Sequence, residues 1–331
     1  MCDNEYMRRA LELAGYGRGF VSPNPMVGAV IVRNGEIIGE GYHRRWGEAH
    51  AEVNAVNSVK DKNLLKDATI YVTLEPCSHY GKTPPCAKLL IECGFKRVVI
   101  GTLDPFEKVS GRGVKMLREA GIEVEVGVLD EECRQLNYIF MTAHLRSRPV
   151  VTIKWAQSRD GWMDRKRTPE EPAQRFSNAL TSQLTAKLRA ENDVIMTTGA
   201  TVRCDNPRLT VRGWDGRNPR PVILTSKPIE VGSHIADNES VWVYDDDVES
   251  VLCDLYSRGV TSVLVESGPT LLREIIERKL WDFARVEVAD FDLGDSGEKA
   301  APVIPYMPDS EFRIGSSRLY FYRSTSSHPI L

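Results

Sequence analysis

The chain has 331 residues, 42% of them hydrophobic and 27% charged, with a formal net charge of −3 at pH 7. That length allows two domains with separate cores, and the mixed charge is that of a soluble globular protein. The near-neutral balance offers no basic footprint for nucleic acid, and no uncharged apolar run approaches membrane-spanning length, so nucleic-acid partners and membrane insertion are both disfavoured. Seven cysteines, an odd number, fit a reducing compartment better than a disulfide framework. Residues 1–10 carry charge of both signs and do not read as a secretion signal, so the expected location is the cytoplasm.

In chain order, residues 26–32 and Glu36–Tyr42 flank Asn34-Gly35, the pair that type I′ turns prefer, and predict a hairpin. A helix is expected over 49–59, carrying His50 and Glu52 in its first turn. Thr69–Leu74 reads as a strand. Pro84-Pro85 then precede a helix that opens at Cys86 and stops at Gly94, because proline suits a helix start and glycine its end. A strand at 97–101 and a helix at 113–120 extend the alternation.

A helical stretch ends at His144-Leu145, and the joint falls near Ser147-Arg148-Pro149, giving domains 1–147 and 148–331. Beyond it, strands are expected at 150–155, 194–197, 221–225, 241–244, 262–266 and 284–289, with helices such as 181–190 and 270–279 between them. Both halves are therefore α/β. No internal repeat or low-complexity tract stands out.

Chemistry concentrates between His50 and Cys86. His50-Ala51-Glu52 is followed by Thr73-Leu74-Glu75-Pro76-Cys77 and, after eight intervening residues, by Cys86. One imidazole and two thiolates can hold zinc and leave a fourth position open, which marks a catalytic rather than a structural site. Glu52, the spare carboxylate, stands where a proton-transfer group is needed. Hydrolytic zinc deaminases work this way: the metal lowers the pKa of water, and a glutamate that is not a ligand moves the proton. Each residue alone would pass as an ordinary buried thiol or helix residue; the combination is what points to zinc. The usual Pro-Cys-x-x-Cys ending is replaced by a longer loop that carries Lys82.

Pro23-Asn24-Pro25-Met26-Val27-Gly28-Ala29-Val30, Gly41-Tyr42-His43, His50-Ala51-Glu52 and the run from Thr73 to Cys86 closely resemble the bifunctional riboflavin-biosynthesis deaminase/reductase family. The likeness continues in Ile153-Lys154-Trp155-Ala156-Gln157-Ser158-Arg159-Asp160-Gly161, in Ala200-Thr201-Val202 with Asp205 to Arg212, and in Val265-Glu266-Ser267-Gly268-Pro269-Thr270. The resemblance implies a cytidine-deaminase-like three-layer domain followed by a dihydrofolate-reductase-like α/β domain.

It further implies hydrolytic deamination of a diaminopyrimidinone bearing a ribosylamino 5′-phosphate, then reduction of the ribosyl chain to ribityl with NADPH. His50, Cys77 and Cys86 would hold zinc and Glu52 would move the proton. Asn24, His43 and Lys82 are candidates for holding the first substrate, the lysine because an ammonium suits a phosphate. In the second half, Arg189, Leu209, Arg212 and Glu266 correspond to substrate contacts, and Ala156, Thr201, Asp205, Ser226 and Gly268 to cofactor contacts. Lys154 and Asp160 are both candidates for delivering a proton. A phosphorylated pyrimidine is thus the expected small-molecule partner, and a homo-oligomer the expected state.

One segment departs from the family. Where a Ser-x-Trp-Ile-Thr type run is usual, with the tryptophan against the cofactor, this chain has Pro172-Ala173-Gln174-Arg175-Phe176-Ser177-Asn178, with Arg175 in the tryptophan's place. Either Phe176 supplies the aromatic contact, or the cofactor sits differently, or reduction is impaired. Two competing readings follow: a deaminase with a catalytically silent C-terminal domain, and a nucleic-acid adenosine deaminase, which shares the His-x-Glu and Pro-Cys core. No Gly-x-Gly-x-x-Gly fingerprint supports a Rossmann-type site.

Overall fold

The computed structural model describes residues 2–79, 84–105, 110–168, 171–236, 238 and 240–325. The chain divides into two compact units, the first ending at Arg146 and the second beginning at Ser147.

The first unit runs α1 (Asp3–Gly15), β1 (Gly28–Arg33), β2 (Glu36–Tyr42), α2 (Ala51–Ser58), β3 (Thr69–Leu74), α3 (Cys86–Cys93), β4 (Arg97–Thr102), α4 (Arg112–Glu119), β5 (Glu123–Val126), α5 (Asp130–Leu136) and α6 (Tyr138–Arg146). Its five strands lie in the order β2-β1-β3-β4-β5, with β1 antiparallel to both neighbours and β3, β4 and β5 parallel. The β1-β2 turn is the expected hairpin: Asn34 and Gly35 both have positive φ, as type I′ requires.

Alternation along the strands splits the core into two layers. Ala29, Ile31, Ile70 and Val72 pack against α2, α3 and α4, while Val30, Val32, Tyr71 and Val99 pack against Tyr6, Met7, Ala10 and Leu13 of α1. Helices thus cover both faces, and the unit has three layers. Helix α1 was not among the sequence-derived elements; its apolar residues recur at helical spacing between charges that face water.

Helix α2 lies against β2 with no room to spare. A Cβ on Gly41 would come within 2.2 Å of the Ala55 amide nitrogen and 2.6 Å of the Ala51 carbonyl. Since backbone cannot swing aside, Gly41→Ala should push α2 off the sheet, costing about 2 kcal/mol and weakening zinc binding through His50 at its start. Denaturant unfolding and a zinc titration would check this; normal values for both would show that α2 tolerates the displacement.

The second unit runs β6 (Val150–Gln157), β7 (Trp162–Arg165), α7 (Ala179–Ala190), β8 (Val194–Thr198), α8 (Gly199–Asp205), β9 (Arg220–Leu224), β10 (Trp242–Tyr244), α9 (Val248–Ser257), β11 (Ser262–Val265), α10 (Pro269–Glu277), β12 (Phe283–Ala289), β13 (Gly297–Ala300), β14 (Ser310–Ile314) and β15 (Ser317–Arg323). Eight strands form one sheet in the order β10-β9-β8-β11-β6-β12-β15-β14, and β13 pairs with β7 in a separate ribbon. The six strands from β10 to β12 are parallel; β15 and β14 add an antiparallel edge. Ile195, Ile223 and Leu264 face one helical layer, and Val194, Met196, Val263 and Val265 the other. Such a sheet opens its carboxyl strand ends to ligands.

Candidate active sites

In the first unit, His50 is the residue that caps α2, Cys77 follows β3, and Cys86 opens α3. Fold and sequence therefore bring three distant positions to one point. His50 Nδ1 is 3.7 Å from Cys77 Sγ and 3.3 Å from Cys86 Sγ, and the three donor atoms lie within 4.8 Å of one another. A tetrahedral zinc with Zn–S near 2.3 Å and Zn–N near 2.0 Å holds nitrogen and sulfur roughly 3.6 Å apart. The observed separations bracket that value, and one imidazole with two thiols is a zinc-type donor set, so the residues fit the metal.

The electrostatics agree. The Cys86 thiol hydrogen-bonds Cys77 and, with the Cys86 backbone N–H donating to the Cys77 sulfur at 3.2 Å, draws the Cys77 thiol well below its ordinary range. Cys86 moves in the opposite direction, because its proton is shared with Cys77 and it is buried. Glu52 is 3% exposed; burial and the neighbouring Cys77 charge push its carboxyl up to about 7 against the opposing pull of His50. A carboxyl that titrates near neutrality can both take and return a proton.

His50, Cys77 and Glu52 line a cavity of about 390 Å³, whereas Cys86 is buried and is not on its wall. Two of the predicted substrate residues, Asn24 and His43, line it; Lys82 lies outside the described residues. His43 Nδ1 meets the Ala49 carbonyl at 3.1 Å, which can only accept, so that nitrogen carries the proton. Its Nε2 then accepts from the Asn24 amide at 3.3 Å, and burial pulls the ring's pKa down, keeping it neutral.

Sequence reasoning missed Glu75, His79, Asp104, Phe140 and His144 on the same lining. Glu75 and Asp104 follow the carboxyl ends of the parallel strands β3 and β4, a position that could have flagged them. Glu75 is buried and its carboxylate accepts from four backbone N–H groups, those of Asp104, Gly111, Gly113 and Val114, at 2.9 to 3.4 Å. It thereby ties the loop after β4 to the loop that carries Cys77.

The second unit holds a cavity of about 910 Å³. Of the predicted contacts, Ala156, Thr201, Asp205, Gly268, Arg189, Leu209 and Glu266 line it, whereas Ser226 and Arg212 are exposed and lie outside the lining. Arg189 pairs with Glu266 through two hydrogen bonds of 2.7 and 2.9 Å and donates a third to the Thr210 carbonyl at 3.0 Å. Burial alone would raise the Glu266 carboxyl, but the Arg189 charge outweighs it and holds the group below its ordinary range.

Lys154 also lines this cavity, 9% exposed, and burial lowers its pKa. Asp160 does not: its carboxylate accepts from the Ser158 hydroxyl at 2.5 Å and from the Leu293 and Gly294 amides, which hold it at about 2 and make it a turn anchor. Neither Arg175 nor Phe176 is on the lining. Arg175 is exposed and bonds the Ser177 carbonyl; Phe176 stacks on Phe291 with centroids 5.8 Å apart, and Ala173 and Met163 form the wall instead. Asp205 is ion-paired with Arg167, which also bonds Asp164 at 2.8 Å.

Comparison with known proteins finds a match for each unit. Residues 1–102 match the cytidine and deoxycytidylate deaminase zinc-binding region, and residues 149–304 match the RibD C-terminal domain. The riboflavin biosynthesis protein RibD of Aquifex aeolicus is 46% identical over 325 residues, covering 88% of each chain. Among solved structures, Acinetobacter baumannii RibD superposes with a TM-score of 0.89 at 30% identity, covering 98% of this chain and 99% of that one. A diaminohydroxyphosphoribosylaminopyrimidine deaminase/5-amino-6-(5-phosphoribosylamino)uracil reductase from Thermotoga maritima gives 0.81 at 36% identity, covering 97% and 98%.

Fold and sites thus define a two-domain enzyme, a cytidine-deaminase-like zinc domain followed by a reductase domain. The chain belongs to the RibD family of riboflavin-biosynthesis proteins. It is a bifunctional deaminase/reductase whose cofactors are zinc and NADPH. No helix among the described residues is long and apolar enough to cross a membrane.

Proposed function

We propose that residues 1–147 deaminate 2,5-diamino-6-(ribosylamino)-4(3H)-pyrimidinone 5′-phosphate and that residues 148–331 reduce the ribosyl side chain of the product to ribityl. The observation that carries this reading is buried Glu52 beside a zinc-type cluster at the wall of a cavity. His50, Cys77 and Cys86 are the metal ligands. Zinc held there would lower the pKa of water and stabilise negative charge as the ring carbon is attacked. Glu52 takes a proton from the attacking water and returns it to the departing amine, which leaves as ammonia. His43, neutral and fixed by Ala49, holds Asn24 so that its Oδ1 is left for a substrate donor, and Lys82 is the candidate for the phosphate.

In the second unit, bound NADPH would supply the hydride. Ala156, Thr201, Asp205 and Gly268 on the cavity wall, with Ser226, are its proposed contacts, and Arg189, Leu209, Glu266 and Arg212 those of the substrate. Reduction at the anomeric carbon frees a ring oxygen that needs a proton. Lys154 is the proposed donor, a reading supported by its position on the cavity lining and by burial that destabilises its ammonium. The seven free cysteines suit a reducing cytoplasm, and a homo-oligomer is the proposed assembly.

The test is ammonia release from the phosphoribosyl pyrimidine, with RNA as control, followed by NADPH oxidation with the deaminated product. Release from the pyrimidine and oxidation by the product support both halves. Response to RNA alone would overturn the substrate, and no oxidation by a folded protein would overturn the reductase. Cys86→Ser should weaken zinc affinity by roughly 100-fold or more, since losing even an outer partner of a zinc ligand costs 10- to 100-fold. Full metal content in that variant, measured by elemental analysis, would remove Cys86 from the ligand set.

A further inference from the structure

The deaminase cavity has two pieces of wall that belong to neither a strand nor a ligand-bearing element: residues 24–27 ahead of β1, contributing Asn24, Pro25 and Val27, and helix α6, contributing Phe140 and His144. We propose that Asn137, in the turn between α5 and α6, is a positioning residue that clips these two pieces together and so sets the fit of the pyrimidine substrate. This rests on the deaminase reading above.

The geometry is reciprocal. The Met26 amide donates to Asn137 Oδ1 at 2.8 Å, and Asn137 Nδ2 donates to the Met26 carbonyl at 2.8 Å. One side chain therefore satisfies both backbone groups of a residue that lies outside the β1 ladder, much as a neighbouring strand would. Only a carboxamide carries a donor and an acceptor side by side; aspartate lacks the donor, and leucine, of similar shape, lacks both. Asn137 is 3% exposed, so water cannot take over these bonds when they are lost.

The constraint spreads in both directions. Towards the metal ligands, the Val27 carbonyl accepts from the His43 amide at 2.9 Å, Asn24 bonds His43 Nε2, and His43 Nδ1 bonds the carbonyl of Ala49, next to His50. Towards α6, the Asn137 carbonyl accepts from the Met141 amide at 2.9 Å in the first turn of the helix. One turn on, the Phe140 ring meets His144 edge-to-face with centroids 4.5 Å apart. The groups that do the chemistry, Glu52 and the triad, are held by other elements. Loosening the clip should therefore disturb how the substrate is held rather than the metal.

Asn137→Leu is expected to raise KM for deamination roughly 10-fold, the consequence of losing two buried hydrogen bonds, with kcat within about threefold and zinc content unchanged. Hydrogen exchange at Met26, Val27 and the amides of α6 should accelerate together. A lowered Tm with KM and exchange at both segments unchanged would make Asn137 merely structural and overturn the proposal, as would acceleration in one segment only. If Asn137→Leu does not fold, Phe140→Ala tests the same wall: a raised KM at full zinc content supports it, and an unchanged KM overturns it. Failure of the unsubstituted protein to release ammonia would fall on the deaminase reading, and the exchange measurement would still decide the clip.

Discussion

Glu52→Gln is expected to retain zinc while deamination falls by roughly 10²- to 10⁴-fold, the range that one positioned acid–base group supplies. The amide keeps the size and much of the hydrogen bonding of the carboxylate, so the packing around α2 survives. What it loses is the ability to cycle a proton. Burial raises the wild-type carboxyl above its ordinary range, which makes it a better proton carrier than an exposed glutamate. Metal analysis beside an ammonia assay checks the prediction, and near-normal turnover in a zinc-loaded Glu52→Gln protein would refute the role.

Arg189→Met should abolish NADPH oxidation and leave ammonia release, assigned to the other unit, unchanged. The substitution strands Glu266 without the cation that keeps it ionised. Breaking a fully buried pair costs about 3–5 kcal/mol; with 16% and 14% of these side chains exposed, about 2 kcal/mol is expected in the stability of the second unit. Pairing Arg189→Met with Glu266→Leu separates the two effects. The double variant should recover part of that stability, because neither member of the pair is left without the other although Lys154 and Arg285 lose the Glu266 charge, while reduction stays lost. Recovery of oxidation in the double variant, or its retention in the single one, would show that the pair serves the fold alone.

The parts of this molecule legible in the sequence are those fixed by local chemistry or by residue type. Asn34-Gly35 makes its turn with two positive φ angles, and Gly94 ends α3 in the left-handed conformation that favours glycine, both determined within a few residues. His50, Cys77 and Cys86 could be picked out before any fold was known, because few other uses unite an imidazole, two thiols and a nearby carboxylate. Strands buried on both faces, such as β4 and β11, read as plain apolar runs and were placed to within a residue or two.

What stayed hidden depends on long-range pairing. Glu75 looks like any acidic residue until α4 presents its amides, and Asn137 is unremarkable until Met26 arrives from 111 positions away. Helix α1 was obscured by its charges, whose apolar counterparts show only when plotted at helical spacing. The segment at Arg175 could be recognised as a departure, but not its outcome: Phe176 stacks on Phe291 and nearby β7 pairs with β13, and both Phe291 and β13 are distant in sequence.

X-ray absorption at the zinc edge of the purified, full-length protein tests the central assignment most directly. The account predicts one zinc per chain with two sulfur neighbours near 2.3 Å and two nitrogen or oxygen neighbours near 2.0 Å, one of them exchangeable. A shell of four sulfurs, or protein that deaminates the pyrimidine after the metal has been stripped and shown absent, would contradict it.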